Sequence, residues 1–184
     1  MSFLSSQMAE MERLYGRPDY LAFAVKATSN ETDRIRSTMK RGRAHDITLF
    51  IYKDDSYIFI SKHFYPPGLY RAPSGGVLPH EDFITGAKRE ALEETGVEIE
   101  LQKYILRIDV KFQSEDDAIN WTSHVFTAKY LGGEIVPQDT HEIKEARLIQ
   151  LDEVPKFKDI MLSSGNAGFR YRAFLTDESI KRLC

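Results

Sequence analysis

The chain has 184 residues, 42% of them apolar and 29% charged, with a formal net charge of −3; this suits one globular domain with a buried core and gives no electrostatic basis for broad nucleic-acid or membrane binding. A single cysteine, Cys184, excludes an internal disulfide and a Cys-built zinc site. No apolar run is long enough to span a bilayer and no signal-peptide pattern opens at Met1, so a cytoplasmic protein is expected.

In chain order, Leu4 to Tyr15 sets Met8, Met11 and Leu14 among charges and predicts an amphipathic helix ending near Gly16–Arg17–Pro18. Tyr20 to Val25 predicts a short strand, and Asn30 to Met39 a second helix capped by Asn30 or Thr32, before a basic turn at Lys40–Arg41–Gly42–Arg43. These residues, 1–45, are read as an N-terminal extension; the body, 46–184, follows. Ile47 to Tyr52 and Tyr57 to Ser61 are β-branched and aromatic runs joined by a polar turn, the pattern of a hairpin. A loop rich in Pro and Gly runs from His63 to Gly76, then a helix from Phe83 to Thr95 and a long strand from Glu98 to Phe112. After a polar loop over Gln113 to Asp117 come strands at Trp121 to Tyr130 and Ala146 to Leu151, a short helix at Asp152 to Phe157, and a helical tail after Asn166. Interleaved strands and helices give an α/β or α+β fold, with the strand order left open.

The helix after Phe83 carries the chemistry. At about 100° per residue, Ile84, Ala87, Ala91 and Leu92 share one face, while Glu90, Glu93 and Glu94 crowd the other, with Gly86 beside them. Asp82 is placed to cap the helix and Gly96 to end it in a left-handed turn. Acids in a last helical turn face the negative end of the dipole, at a cost of about 0.3–1 kcal/mol each. Pairing of Arg89 with Glu93 offsets only about 0.2–0.5 kcal/mol. A solvated acidic face is the ordinary reading of such a helix; a bound hard dication, preferring carboxylate oxygens, would turn the cost into a use.

Gly75, Glu81, Arg89, Glu90, Glu93, Glu94 and Gly96, with Ala91 and Val97 at the aliphatic positions, match the spacing G-x5-E-x7-R-E-U-x-E-E-x-G-U. This segment resembles the Nudix box, and the chain is identified as a member of the Nudix hydrolase superfamily. The resemblance implies an α/β/α sandwich around a mixed β-sheet. It implies Mg²⁺, or Mn²⁺, held by Glu90, Glu93 and Glu94 with the carbonyl of Gly75, Glu81 in support and Arg89 orienting the glutamates. It implies hydrolysis of a diphosphate linkage in a nucleoside diphosphate joined to another moiety, by a metal-activated water. Glu93 and Glu142 are equal candidates for the general base, with Glu145 behind them. A nucleotide-sensing domain of the same family that binds without cutting is the alternative function. In some members of the family an N-terminal extension builds a homodimer, so the resemblance makes residues 1–45 a candidate dimerising segment.

Substrate identity is less legible. Downstream of the box, where some subfamilies carry a proline or tyrosine marker, this chain has Phe112–Gln113–Ser114–Glu115. Phe64, Tyr65, Tyr70 and Trp121 are candidates to stack on a base and Arg71 to meet a phosphate, although such aromatics more often serve packing. The basic group Arg34, Arg36, Lys40, Arg41 and Arg43 is read as a solvated surface ahead of an anion-attracting one. The five histidines show no metal-ligand spacing.

Overall fold

The computed structural model describes residues 3–39, 43–78 and 80–183; Lys40, Arg41 and Cys184 lie outside them. Helix α1 (Phe3–Tyr15) buries Met11 in one of two apolar clusters, and strand β1 (Asp19–Lys26) runs parallel to β5 (Glu98–Gln113) from Asp19 opposite Leu106 to Lys26 opposite Gln113. Helix α2 (Ser29–Thr38) is capped by Thr28, not by Asn30 or Thr32. The Thr28 side chain accepts the Glu31 N–H, and the Thr28 N–H donates to the Glu31 carboxylate at 2.8 Å, a reciprocal box that satisfies two donors at once. Thr32 instead turns inward and donates to the Ser29 carbonyl.

Strands β2 (His45–Lys53) and β3 (Ser56–Lys62) form the expected hairpin. Within the Pro- and Gly-rich loop a further short strand, β4 (Ser74–Gly76), pairs with the start of β2, placing Gly75 opposite Ile47 and Gly76 opposite Asp46. Helix α3 (Phe83–Thr95) follows, then β5, β6 (Ala118–Gly132) and β7 (Ile143–Ile149). The expected short helix is a 3-10 turn at Leu151–Glu153 running into α4 (Val154–Ser163), and the tail is α5 (Ala167–Ile180), capped by Asn166. The sheet is mixed, ordered β1-β5-β6-β2-β3-β7 with β4 against β2. Helices α1 and α3 cover one face through Met11, Phe83, Ala87 and Ala91. Helices α4 and α5 cover the other through Phe157, Met161, Tyr171 and Leu175. This is the α/β/α sandwich that the resemblance implies. No helix among the described residues is long and apolar enough to cross a membrane.

Helix α3 is set by its ends and one stripe. The Asp82 side chain accepts the Thr85 N–H at 2.9 Å, and Gly96 ends the helix at φ +77°, with the Val136 carbonyl oxygen 2.1 Å from where a Cβ would stand. The buried stripe is Phe83, Ala87, Ala91 and Thr95, an i, i+4 row. Leu92, expected on that face, is exposed, because it sits about 100° around the helix from Ala91.

Under α3 the sheet carries a polar group in an apolar setting. His124 on β6 is fully buried, with the Tyr104 hydroxyl on its Nδ1 and His45 Nδ1 at 3.0 Å from its Nε2. Burial, then the charges of His45 and Arg107, holds His124 well below its ordinary range, and burial lowers His45 as well. At these two histidines the unfolded chain binds more protons than the folded one below about pH 6.5, so their contribution to stability falls as pH drops through that value by up to about 1.4 kcal/mol per unit for each group. We expect the melting temperature of the native protein to fall relative to that of His124→Phe between pH 6.5 and 5, measured by circular dichroism.

Candidate active site

Strand β4, the end of β3, helix α3 and the loop before β7 meet at one edge of the sandwich, where a cavity of about 540 Å³ opens. Ser74, Gly75, Glu90, Glu94, Lys62 and Glu142 line it, together with Asp46, Arg71, Trp121 and Arg172. The loop is placed by backbone bonds: the Glu93 carbonyl, in the last turn of α3, accepts the N–H groups of Gln138 and Asp139 at 3.0 and 2.9 Å. The Asp139 carboxylate then accepts the N–H groups of His141 and Glu142. An orphan helix carbonyl thus anchors the acidic loop against α3.

The acids divide between two cations. Arg89 grips Glu81 with two parallel bonds of 2.8 and 2.9 Å and reaches Glu90 at 2.7 Å and Glu93 at 3.1 Å. Lys62, only 8% exposed, stands 3.3 Å from Glu94 and also bonds Glu142. Glu94 is 5% exposed, and its other oxygen accepts the Ser74 N–H at 2.8 Å. Burial pushes the Glu90 carboxyl up to about 7 against the pull of Arg89. The opposite holds at Glu81, where the Arg89 hydrogen bonds keep the carboxyl below its usual range. Arg71 is buried among Ala72, Ser74 and Tyr65, and although burial opposes its charge, Tyr65 and Glu94 hold its pKa raised.

Parted in this way, the acids do not converge: among the described residues no three acidic, histidine or cysteine side chains are grouped as a ready-made ion cage. The donors nevertheless suit a hard divalent ion. They are all oxygen, they outnumber the cations Arg89 and Lys62 that now serve them, and Glu90 and Glu94 line the same cavity as Gly75. Gly75 is required by contact, since a Cβ there would stand 1.7 Å from the Glu90 carboxyl carbon. Only glycine lets that carboxylate lie against the β4 backbone.

The other residues singled out from sequence scatter. Glu93 stays on Arg89 with its side chain 46% exposed. Glu145 sits opposite Ser61 in the β3–β7 ladder, outside the cavity lining. Tyr70 packs on Phe157 and under Arg147, also away from the cavity. Phe64, 72% exposed, lines a second hollow of about 500 Å³ that shares Lys62, Arg71, Glu142 and Arg172 with the first. Of the basic group, Arg43 reaches the first cavity and Arg34 the second, whereas Arg36 pairs with Asp117. Lys62, Asp46 and Arg172 escaped the sequence reading. A lysine soon after the apolar run Ile58–Phe59–Ile60 is the signal for Lys62; Asp46 and Arg172, distant in sequence, offer none.

Because Arg89 is the shared cation of three carboxylates, Arg89→Met should destabilise the fold by about 2 kcal/mol, below the 3–5 kcal/mol of a fully buried pair because the site is partly open. Urea denaturation of the two proteins checks this; an unchanged midpoint would show that the network adds nothing to stability.

The NUDIX domain model matches residues 42–169. The chain is 32% identical over 107 residues to the NAD-capped RNA hydrolase NudC of Stutzerimonas stutzeri, covering 58% of this chain but only 36% of that protein. It is 25% identical over 122 residues to the oxidized purine nucleoside triphosphate hydrolase of Mus musculus, covering 66% of this chain and 74% of the relative. Among solved structures, a NUDIX hydrolase from Nitrosomonas europaea superposes with a TM-score of 0.50 at 19% identity, over 64% of this chain and 79% of the other, a likeness of fold. With its domain model matched over most of the chain and the acids of its box brought around Arg89 and the cavity, the protein belongs to the NUDIX domain family.

Proposed function

We propose that this protein is a divalent-metal-dependent hydrolase that cleaves the diphosphate linkage of a nucleoside diphosphate joined to a second moiety. The observation that carries the reading is the cavity wall itself. There Glu90 and Glu94 lie against the Ser74–Gly75 backbone and share a cavity of about 540 Å³ with Arg71 and Arg172. The acids suit a metal and the arginines suit phosphate oxygens. The two curated relatives are named for hydrolysing NAD-capped RNA and an oxidized purine nucleoside triphosphate, and both substrates contain phosphoanhydride bonds.

Glu90, Glu93, Glu94 and the Gly75 carbonyl hold the ion in this reading, with Glu81 behind them. When bound, Mg²⁺ or Mn²⁺ neutralises charge on the diphosphate and acidifies a water. The chain's own groups do the rest. Arg89 keeps Glu81 and Glu90 in place, and Arg71, fixed by Ser74 and Ala72, presents a preorganised cation to the diphosphate. Glu142 is favoured over Glu93 and Glu145 as general base because it lines the cavity and is the acid tethered through Lys62 to Glu94. It takes the proton of the attacking water as the water oxygen bonds to phosphorus and the bridging oxygen leaves with the other phosphate.

A panel of NADH, ADP-ribose, nucleotide-sugars, dinucleoside polyphosphates and nucleoside triphosphates with Mg²⁺ should yield nucleoside monophosphate from at least one member, with oxygen from labelled water in one product phosphate. Glu142→Gln should lower kcat by roughly 10²–10⁴-fold, and Glu94→Gln should abolish the response to metal. Turnover unchanged in both variants would remove this mechanism. Since burial pushes the Glu90 carboxyl up to about 7, an ion would have to displace its proton at lower pH. Apparent Mg²⁺ affinity should therefore rise up to about tenfold per unit as pH climbs to 7 and level off above. Calorimetry in buffers of different ionisation heat reads the released proton, and Glu90→Gln should lose that dependence.

A further inference from the structure

Glu94 lines the active-site cavity with both of its oxygens engaged. Oε2 accepts the Ser74 N–H at 2.8 Å, a backbone bond that pins the carboxylate to β4. Oε1 stands 3.3 Å from the Lys62 ammonium, longer than the roughly 2.7–2.9 Å of a tight charge-assisted bond. Both side chains are almost wholly buried, so water screens their attraction little. A dication that gathers Glu94 with Glu90 must come up to Oε1, and an ammonium already there repels it.

The two cations of the site differ in how they can respond. Arg89 is locked onto Glu81 by two bonds from its planar fork and reaches Glu90 and Glu93 as well. Lys62 is a point charge with three donors on a flexible stem. It also has a second anchor, since it bonds Glu142, whose side chain is 49% exposed. Lys62 lines the second hollow of about 500 Å³ as well as the first, which leaves room for it to swing. The ammonium can therefore leave Glu94 and still be paired.

We propose that Lys62 is a positioning residue, a resident counter-ion that holds Glu94 in place until a divalent ion takes Oε1, whereupon the ammonium withdraws to Glu142. The inference rests on the proposed metal-dependent hydrolysis. Metal uptake is then an exchange of one cation for another at a carboxylate that the Ser74 N–H keeps fixed. The lost Lys62–Glu94 pairing opposes that exchange, so the native protein binds metal more weakly than the same acids would without Lys62. In return, the buried Glu94 is never left without a counter-charge, a condition that is strongly destabilising in a protein interior.

Titration calorimetry of the full chain with Mg²⁺ alone reads the exchange. Lys62→Met should bind Mg²⁺ about tenfold or more tightly than the native protein. Without the ion it should melt about 5–10 °C lower, and saturating Mg²⁺ should return most of that loss. The two changes have opposite sign, whereas damage to packing alone would lower stability and affinity together. Lys62→Arg, which keeps the charge, should keep the weaker native affinity. If Lys62→Met folds only with Mg²⁺ present, Lys62→Gln, which keeps a donor for Glu94, takes its place in the titration with the same gain expected. A neutral variant that binds Mg²⁺ as weakly as the native protein, or more weakly, overturns the inference alone. Failure of the native protein and the neutral variants alike to take up Mg²⁺ or Mn²⁺ overturns the metal-dependent reading and the inference together.

Discussion

Glu90, Glu93 and Glu94 repel one another and the helix dipole, and α3 carries them because Arg89 serves Glu90 and Glu93 while Lys62 takes Glu94. Arg89 takes Glu81 in a two-pronged grip and still reaches Glu90 and Glu93. Lysine could not do this: its ammonium is one point on a flexible stem, whereas the planar fork spreads its donors in fixed directions. The arrangement stores the potential for a metal site without being one. Glu93, half exposed, is held loosely by Arg89, whereas the buried Glu94–Lys62 pair parts only at a larger cost.

Everything else at the cavity is held in relation to that helix. Gly75 permits β4 to run against Glu90, the Ser74 N–H fixes Glu94, and the Glu93 carbonyl anchors the loop that brings Glu142 to Lys62. The backbone bonds there matter as much as the side chains, because they couple the acidic loop to α3 as one unit. Movement of α3 would displace Glu142 as well as the box acids.

Part of the cavity lining comes from outside the box, towards both ends of the chain. Helix α2 contributes Thr38 and α5 contributes Arg172. The two are tied where Glu31, which also closes the cap of α2, accepts the N–H of Ala167 at the start of α5 at 2.8 Å. Strand β1 is an outer strand of the same sheet and Met11 lies in the same core as α3. Residues 3–39 therefore help to shape the cavity, through Ser37 and Thr38, although they lie outside the box.

The box itself was legible residue by residue, because its spacing obeys helix geometry and its caps are local: Asp82, Gly96 and the acidic face follow from neighbours within a few positions. So did the hairpin and the alternation of strands with helices. The cap of α2 was legible too, as a threonine followed three residues later by glutamate, but two other capping residues lay closer to the expected start. What no local rule could supply was the strand order, which brings Lys62 from β3 and Arg172 from α5 to acids distant in sequence. Nor could it supply the dispersal of Tyr70 and Glu145 away from the cavity that Trp121 and Arg71 line. Those placements depend on which sheet edges pair and which faces are covered. Such contacts are set by the burial of apolar surface across the whole chain, so only the tertiary structure decided them.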